Sequence, residues 1–378
     1  MDTCDVLIAG GGPAGSACAW KLRQAGLDVV VIDGATFPRD KVCAGWITPQ
    51  VIDDLDLDVN EYRRGRTFQP ITGFRVGVIG KDREVETSYA NPISFGIRRC
   101  EFDHYLLERS GARLRLGTPV TSIEQTGGRW VVNDAVSAPM IVGAGGHFCP
   151  VARWLNGPIG SGDRVPLVVA QEAEFAVEPG AAASFATDPE RPELYFCGDL
   201  KGYGWCFRKG DYLNLGFGRL DRRSVPKATA EFVAFLAAKG RIPPNASWRW
   251  RGHAYLLYES PHRRVCDAGV LLVGDAAGLA YPQSGEGIRP AVESGLLAAD
   301  TILHADHQYG ADALEPYAVH LRARFGTSPG SRLLSHTVPA RVLAPVARTL
   351  LKVPVLVRHL VLNRWFLHAH QPALALSR

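Results

Sequence analysis

The chain has 378 residues, 46% apolar and 21% charged, a composition that buries one large core or two linked ones and excludes a disordered or fibrous protein. The net charge of +4 hides an asymmetry: from Pro316 onward there are nine Lys or Arg and no Asp or Glu, so the first 315 residues carry a net −5. Eight cysteines without a C-x-x-C pair, no signal-like N-terminus and no run of eighteen uncharged apolar residues point to a reduced, cytoplasmic protein with neither a structural metal nor a spanning helix.

The N-terminal stretch "CDVLIAGGGPAGSACAWKLRQAGLDVVVIDG" reads as one βαβ unit. A strand over Asp5–Ala9 meets a glycine turn, a helix runs from Pro13 to Gln24, Gly26 ends it, and a second strand closes at Asp33 and Gly34. Gly10 permits the tight turn, Gly12 lets a pyrophosphate approach the backbone, and Gly15 lets the helix pack on the strand. The amides around Pro13 and Ala14 then face phosphates at the positive helix end, and Asp33 is placed to accept hydrogen bonds from a ribose. This motif alone does not separate NAD from FAD.

Further along, "GFRVGVIG…REVETSY", "VVAQEAEFAV", "ELYFCGDL", "GYGWCFRKG" and "YLNLGFGRL" alternate like strands of an antiparallel sheet. A connector over residues 221–247 contributes one helix. Then "VLLVGDAAG" gives a strand over Val270–Val273 that delivers Gly274 and Asp275 to a sheet edge, suited to a second polar section of an extended cofactor. "PQSGEGI" sets Gly285, Gly287 and Ile288 at a helix start, where free amides and the positive dipole end can hold an electron-rich ring edge. A flavin meets that demand. In the tail, Pro339, Pro345 and Pro354 break the chain into short helices, and basic residues at 341, 348, 352, 358 and 364 lie among apolar ones. That pattern fits either a membrane-surface contact or helices capping the core.

On these residues the chain resembles the flavoprotein superfamily of aromatic hydroxylases, tryptophan halogenases and geranylgeranyl reductases. "GDAAG…P.SGEGI..A..SG..AA" resembles the geranylgeranyl reductase branch, as does "FPRDKVCAG", which implies that Cys43, Ala44 and Gly45 lie near the flavin. "IRRCEFDHYLLERS" is similar to an R-x-x-F-D helix start and implies Arg99 beside the cofactor; "GTPVTSI" resembles a strand that places Val120 near the adenine. Where relatives carry an Asp-Gly pair implicated in holding FAD and NAD(P)H, this chain has Ala144, Gly145 and Gly146. The reductase pattern Y-x-W-x-F-P appears with Tyr203, Trp205 and Phe207 but with Arg208 for proline, which implies a cation near the substrate wall.

The resemblance implies an α/β fold: a FAD-binding Rossmann-like three-layer domain (1–65, 93–160 and 250–315), an inserted antiparallel-sheet substrate domain (66–92 and 161–249) and a basic, apolar helical region at 316–378. It implies an FAD-dependent reduction of carbon–carbon double bonds in a hydrophobic, isoprenoid-like small molecule, with Cys43, Tyr203 or a water delivering the proton and Tyr203 and Trp205 shaping the substrate tunnel. Cys43 as a plain buried thiol and the two aromatics as core filling stand beside those readings, as does solvation for Arg39 and Lys41. The alternative chemistry on the same scaffold is a monooxygenase, or a halogenase, acting on an aromatic or polyketide metabolite; a flavin-binding protein without turnover is a third. NADPH, a ferredoxin or a flavin reductase is the expected electron donor, a peripheral membrane contact through 316–378 stands beside the core-capping reading of that region, and nucleic acid is not expected because no stacking aromatics interleave the basic residues.

Overall fold

Runs of aliphatic residues too short for helices build the centre of the molecule. Val6–Ala9, Val29–Ile32, Met140–Gly143 and Val270–Leu272 are buried along their whole length, as strands covered on both faces must be. In the computed structural model, which describes residues 1–157, 167–178, 185–220, 225–244, 248–257, 263–326 and 349–374, they form a six-stranded sheet. The order is Cys266–Asp267, Val270–Leu272, Met140–Gly143, Val6–Ala9, Val29–Ile32 and Arg113–Arg115, parallel except for the first pair.

One face of this sheet carries the helices Pro13–Gln24 and Ile288–His304; the other carries the meander of Ile123–Thr126, Arg129–Val132 and Val136–Ala138, and side chains of all three layers share one core. The two helices touch backbone to backbone. A Cβ on Gly295 would collide with the Ala14 carbonyl, so the small residues of "PAGSACA" and Gly295 set the distance between them. Ile288–His304 is buried on nearly every side, which explains its "AVESGLLAA" composition.

The second sheet has seven strands: Arg251–Leu256, Leu167–Ala176, Tyr212–Arg219, Gly202–Lys209, Glu193–Phe196, Gly73–Val78 and Glu84–Ser88. Helix Val225–Ala238 covers its back through Phe232 and Leu236. Its front bears Trp205, Phe207 and Phe74, against which Val357, Val361, Leu362 and Phe366 of the C-terminal segment pack.

Four sequence expectations change. The pair Glu193–Phe196 and Gly73–Val78 is parallel, because more than a hundred residues separate the two strands and no hairpin imposes the antiparallel sense. Arg251–Leu256 is bonded into the seven-stranded sheet, so the chain returns to the six-stranded sheet only at Cys266, later than residue 250. Residues 117–122 are not a strand: Pro119 lacks a donor, and Asn133 Oδ1 accepts the Thr121 and Ser122 amides at 2.8 and 3.2 Å. Helix Ala311–Phe325 runs through Pro316, because Leu314, Tyr317, Leu321 and Phe325 bury one face that outweighs the lost hydrogen bond. In the tail, Pro354 begins a short helical segment, as a proline that divides helices should, while Pro339, Pro345, Arg341 and Arg348 lie outside the described residues.

Candidate active site

A cavity of about 570 Å³ opens where the carboxyl ends of the four central strands meet the front of the seven-stranded sheet. That is the end of a parallel sheet at which ligands gather, and the size suits a cofactor with room beside it. Each strand delivers its own group: Val6–Ala9 leads to Gly10, Gly12, Pro13 and Ala14; Val29–Ile32 to Asp33 and Gly34; Met140–Gly143 to Ala144 and Gly145; Val270–Leu272 to Gly274 and Asp275. Cys43, Ala44, Gly45, Arg99, Val120, Tyr203, Trp205, Gly285, Gly287 and Ile288 line the same cavity. Gly15 does not. It lies beneath the lining, where a Cβ would collide with the Gly10 carbonyl, so its place is in helix-on-strand packing.

The glycine turn is shaped for close approach. Gly10 has φ +122°, open only to glycine, and a Cβ there would also strike the Ala144 carbonyl. No side chain caps helix Pro13–Gln24 at Gly12, which leaves first-turn amides for an anion. Asp33 accepts the Gly11 and Ala35 amides at 2.8 Å each, one on either oxygen, and is fixed in direction while further lone pairs remain.

Asp275 stands with two basic side chains that the sequence did not join to it. Its Oδ2 lies 3.7 Å from His253 Nε2, and the same nitrogen contacts Lys41 Nζ. Burial opposes ionisation of Asp275, but His253, Lys41 and Arg99 outweigh it and hold the carboxyl below its ordinary value. Burial pushes Lys41 down to about 8, and pushes His253 below the usual imidazole range. Lys41 and Arg39 both line the cavity, so plain solvation does not describe them.

Arg99 is aimed by a residue that the R-x-x-F-D pattern contains but whose part was not read. Asp103 is fully buried and takes both Arg99 Nε and Nη2 at 2.7 Å, with Arg39 Nη1 at 3.4 Å. The loop carrying Cys43 is held from the sheet above. Asn214 Nδ2 donates to the Cys43 carbonyl at 3.2 Å, Lys209 Nζ donates to the Ala44 and Ile97 carbonyls at 3.0 and 2.9 Å, and the Cys43 amide donates to Glu172. Trp205 Nε1 donates to Asn214 Oδ1 at 2.7 Å, and Tyr203 Oη to the Ser284 carbonyl at 2.5 Å. Trp46 and Tyr255, unread in the sequence, complete an aromatic wall. Arg208 turns away and bonds the Gly210 carbonyl; strand alternation places it opposite Tyr203, Trp205 and Phe207, so the expected cation is absent from the wall. Among the described residues no group of three or more His, Cys, Asp or Glu could hold a metal ion.

A family profile described as an NAD(P)-binding Rossmann-like domain matches residues 8–59. The menaquinone reductase of Mycobacterium tuberculosis is 30% identical over 323 residues, 80% of this chain and 77% of that one. The geranylgeranyl diphosphate reductase of Rhodobacter capsulatus is 30% identical over 319 residues, 79% of this chain and 75% of that protein. The chain belongs to the geranylgeranyl reductase family. It is a flavin-dependent oxidoreductase, and the family's fold is visible in a geranylgeranyl bacteriochlorophyll reductase-like protein of Thermoplasma acidophilum, with TM-score 0.74 at 21% identity over 96% of this chain and 99% of that one. A flavin-dependent halogenase shares the fold, with TM-score 0.65 at 22% identity over 86% of this chain and 63% of that one. No described helix is long and apolar enough to cross a membrane.

Proposed function

We propose that this geranylgeranyl reductase family member binds FAD and reduces carbon–carbon double bonds of an isoprenoid-like substrate. The observation that carries the reading is the aromatic wall of Trp46, Tyr203, Trp205 and Tyr255, which lines the same cavity as the nucleotide cradle and the Cys43 loop. It offers an apolar substrate a dry surface next to groups suited to a flavin.

The cradle fits the dinucleotide part by part. Gly10, Gly12 and the amides of Pro13–Gln24 suit a pyrophosphate, Asp33 a ribose, and Val120 with Pro119 an adenine edge. Asp275 with Lys41 suits the polar middle, and the positive dipole end of helix Ile288–His304, where Glu286 Oε1 already accepts the Arg289 amide at 2.7 Å, suits the ring's electron-rich edge. When bound, the flavin supplies the hydride. The chain's own residues orient the olefin between the aromatic wall and the Cys43 loop, keep water out, and deliver a proton from the Cys43 thiol to the second carbon.

NADPH fits as electron donor, and a ferredoxin or a flavin reductase is the alternative, because Gly145 brings no carboxylate to the third strand end. Peripheral membrane contact belongs to the same reading: Val353 and Val355 are 40% and 63% exposed beside Lys352 and Arg358. The test is anaerobic. The bound flavin is reduced chemically, a polyprenyl lipid panel is added, and flavin reoxidation is recorded with product mass. Reoxidation with a gain of two hydrogens supports the reductase. Flavin that stays reduced until air enters, with oxygen then found in an aromatic product, replaces it with a monooxygenase.

A further inference from the structure

Behind the loop Asp40–Cys43 lies a second cavity of about 300 Å³. Asp40, Lys41, Val42, Cys43 and Arg99 line both cavities, so this loop is a partition one residue thick. Two carboxylates of the seven-stranded sheet, Glu172 and Glu174, line the second cavity and belong to the same strand face.

Their partners differ. Glu174 is paired with Lys209 Nζ at 2.6 Å and with Arg98 Nε at 3.0 Å; burial opposes its charge, but Lys209 and Arg98 hold its carboxyl below the ordinary value. Glu172 is only 8% exposed and, among the described residues, makes no ion pair. Its partners are the Cys43 amide and Asn214 Nδ2, the latter at 3.1 Å, while Lys209 spends its donors on Glu174, Ala44 and Ile97. Burial therefore pushes Glu172 up to about 7, with nearby Glu174 adding to the rise and Lys209 opposing it. The charged or titratable groups around the rest of the cavity are Asp40, Lys41, Arg98, Arg99, Arg249 and Arg251, with the Cys100 thiol. Several are engaged elsewhere: Arg251 with Asp40, Arg98 with Glu101 and Glu174, and Arg99 with Asp103.

We propose that the second cavity is a proton entrance to the active site, in which Glu172 takes protons from water and returns them to Cys43 across the partition. The inference rests on the reading above in which the Cys43 thiol protonates the substrate. The S–H bond breaks as the new C–H bond forms, leaving a thiolate. Protonated Glu172 then gives its proton to the thiolate, directly or through one water, and the resulting carboxylate is reprotonated from the cavity. No electrons are exchanged in these transfers; the hydride arrives separately. Glu172 also fixes the Cys43 backbone, so a purely structural role has to be distinguished from a relay.

The experiment follows Cys43 itself in the purified flavoprotein, by mass-resolved alkylation with iodoacetamide from pH 5.5 to 8.5, for wild type, Glu172→Gln and Glu172→Asp. A relay needs the carboxylate within reach of the thiol, where its ionisation disfavours the thiolate by about one pKa unit. Glu172→Gln should therefore match wild type at pH 5.5 and react about tenfold faster at pH 8, while Glu172→Asp should follow wild type. In parallel, flavin reoxidation by the prenyl panel should slow by about 10²-fold in Glu172→Gln, in the range of a lost proton-transfer group, and recover in Glu172→Asp. A constant ratio of alkylation rates across pH, whatever its size, marks a structural effect and overturns the relay. A wild type that never reduces a prenyl double bond overturns the proposed function instead, and the alkylation profiles still decide whether Glu172 and Cys43 are coupled.

Discussion

Asp103→Ala tests how the cavity-lining Arg99 is held. Asp103 is fully buried and bonds Arg99 at two points of 2.7 Å, so its removal leaves a guanidinium that is itself only 10% exposed without its partner. Breaking a buried ion pair from one side costs about 3–5 kcal/mol, because the remaining charge keeps its desolvation penalty. At about 1.3 °C per kcal/mol for a chain of this size, the melting temperature should fall by about 4–6 °C. Arg39, 3.4 Å from the same carboxylate and 20% exposed, can turn to solvent and adds little. The double variant Arg99→Met, Asp103→Leu removes both charges and keeps much of the volume, so it should regain most of the loss. Flavin retention separates stability from function: it should drop in both variants, since both lose a properly aimed Arg99. Thermal unfolding by circular dichroism and flavin fluorescence after gel filtration give the two readings. A double variant as unstable as Asp103→Ala would refute the argument, because the cost would then come from packing and not from an unpaired charge.

Asp275→Ala should weaken flavin binding by about 10–100-fold, the loss of one charge-assisted hydrogen bond, and a variant with wild-type occupancy in a titration of apoprotein with FAD would remove Asp275 from the cofactor. Lys41, lowered to about 8, is charged below that pH and neutral above it, so the apoprotein's flavin affinity should be flat to about pH 8 and fall beyond it. In Lys41→Met that alkaline fall should vanish; the stability of flavin-free wild type should move the other way, rising from about pH 8 toward 10.5 as the penalty for a buried ammonium disappears. Gly145→Asp should keep its flavin, since Gly145 has an ordinary φ of −76° and a Cβ there meets Cys149 no closer than 3.2 Å; loss of flavin on purification would count against that placement.

The cradle was legible because it is made of backbone. Gly10, Gly12 and Gly15 announce themselves at fixed spacing, and Asp33 and Asp275 each end an apolar run, so order along the chain stood in for position in space. The groups that went unread act across long sequence separations. His253 and Lys41 are 212 residues apart, and Glu172 and Cys43 are 129 apart; no periodicity relates them. Some signals were nevertheless present. Period-two alternation from His253 puts Tyr255 on the same face, and Glu172 and Glu174 flank the face that Ala170 begins, where paired acids on the inward side of a strand ask for the Lys209 that faces them. The boundary at Pro316 rests on the change in charge there, which says nothing of local structure; helix Ala311–Phe325 runs across it because four apolar side chains on one helix face outweigh the proline's missing hydrogen bond.

The division of labour between the two sheets explains why a cofactor site can be read more surely than a reaction. The six-stranded sheet lines the cavity with strand ends and a helix start, and many of the groups there are backbone amides that any side-chain chemistry can share. The Cys43 loop is different, since it borders that cradle but is held by Asn214, Lys209 and Glu172 of the other sheet. Substitutions on the seven-stranded sheet should therefore change the position of the Cys43 loop without touching the glycine turns. Diversity of chemistry on this fold is expected to concentrate in that sheet and in the partition loop, and Asn214→Asp, which replaces a donor to the Cys43 carbonyl with a third carboxylate beside Glu172 and Glu174, should alter Cys43 alkylation while leaving flavin occupancy intact. Flavin lost in step with the change at Cys43 would show that cradle and loop are one unit and not two.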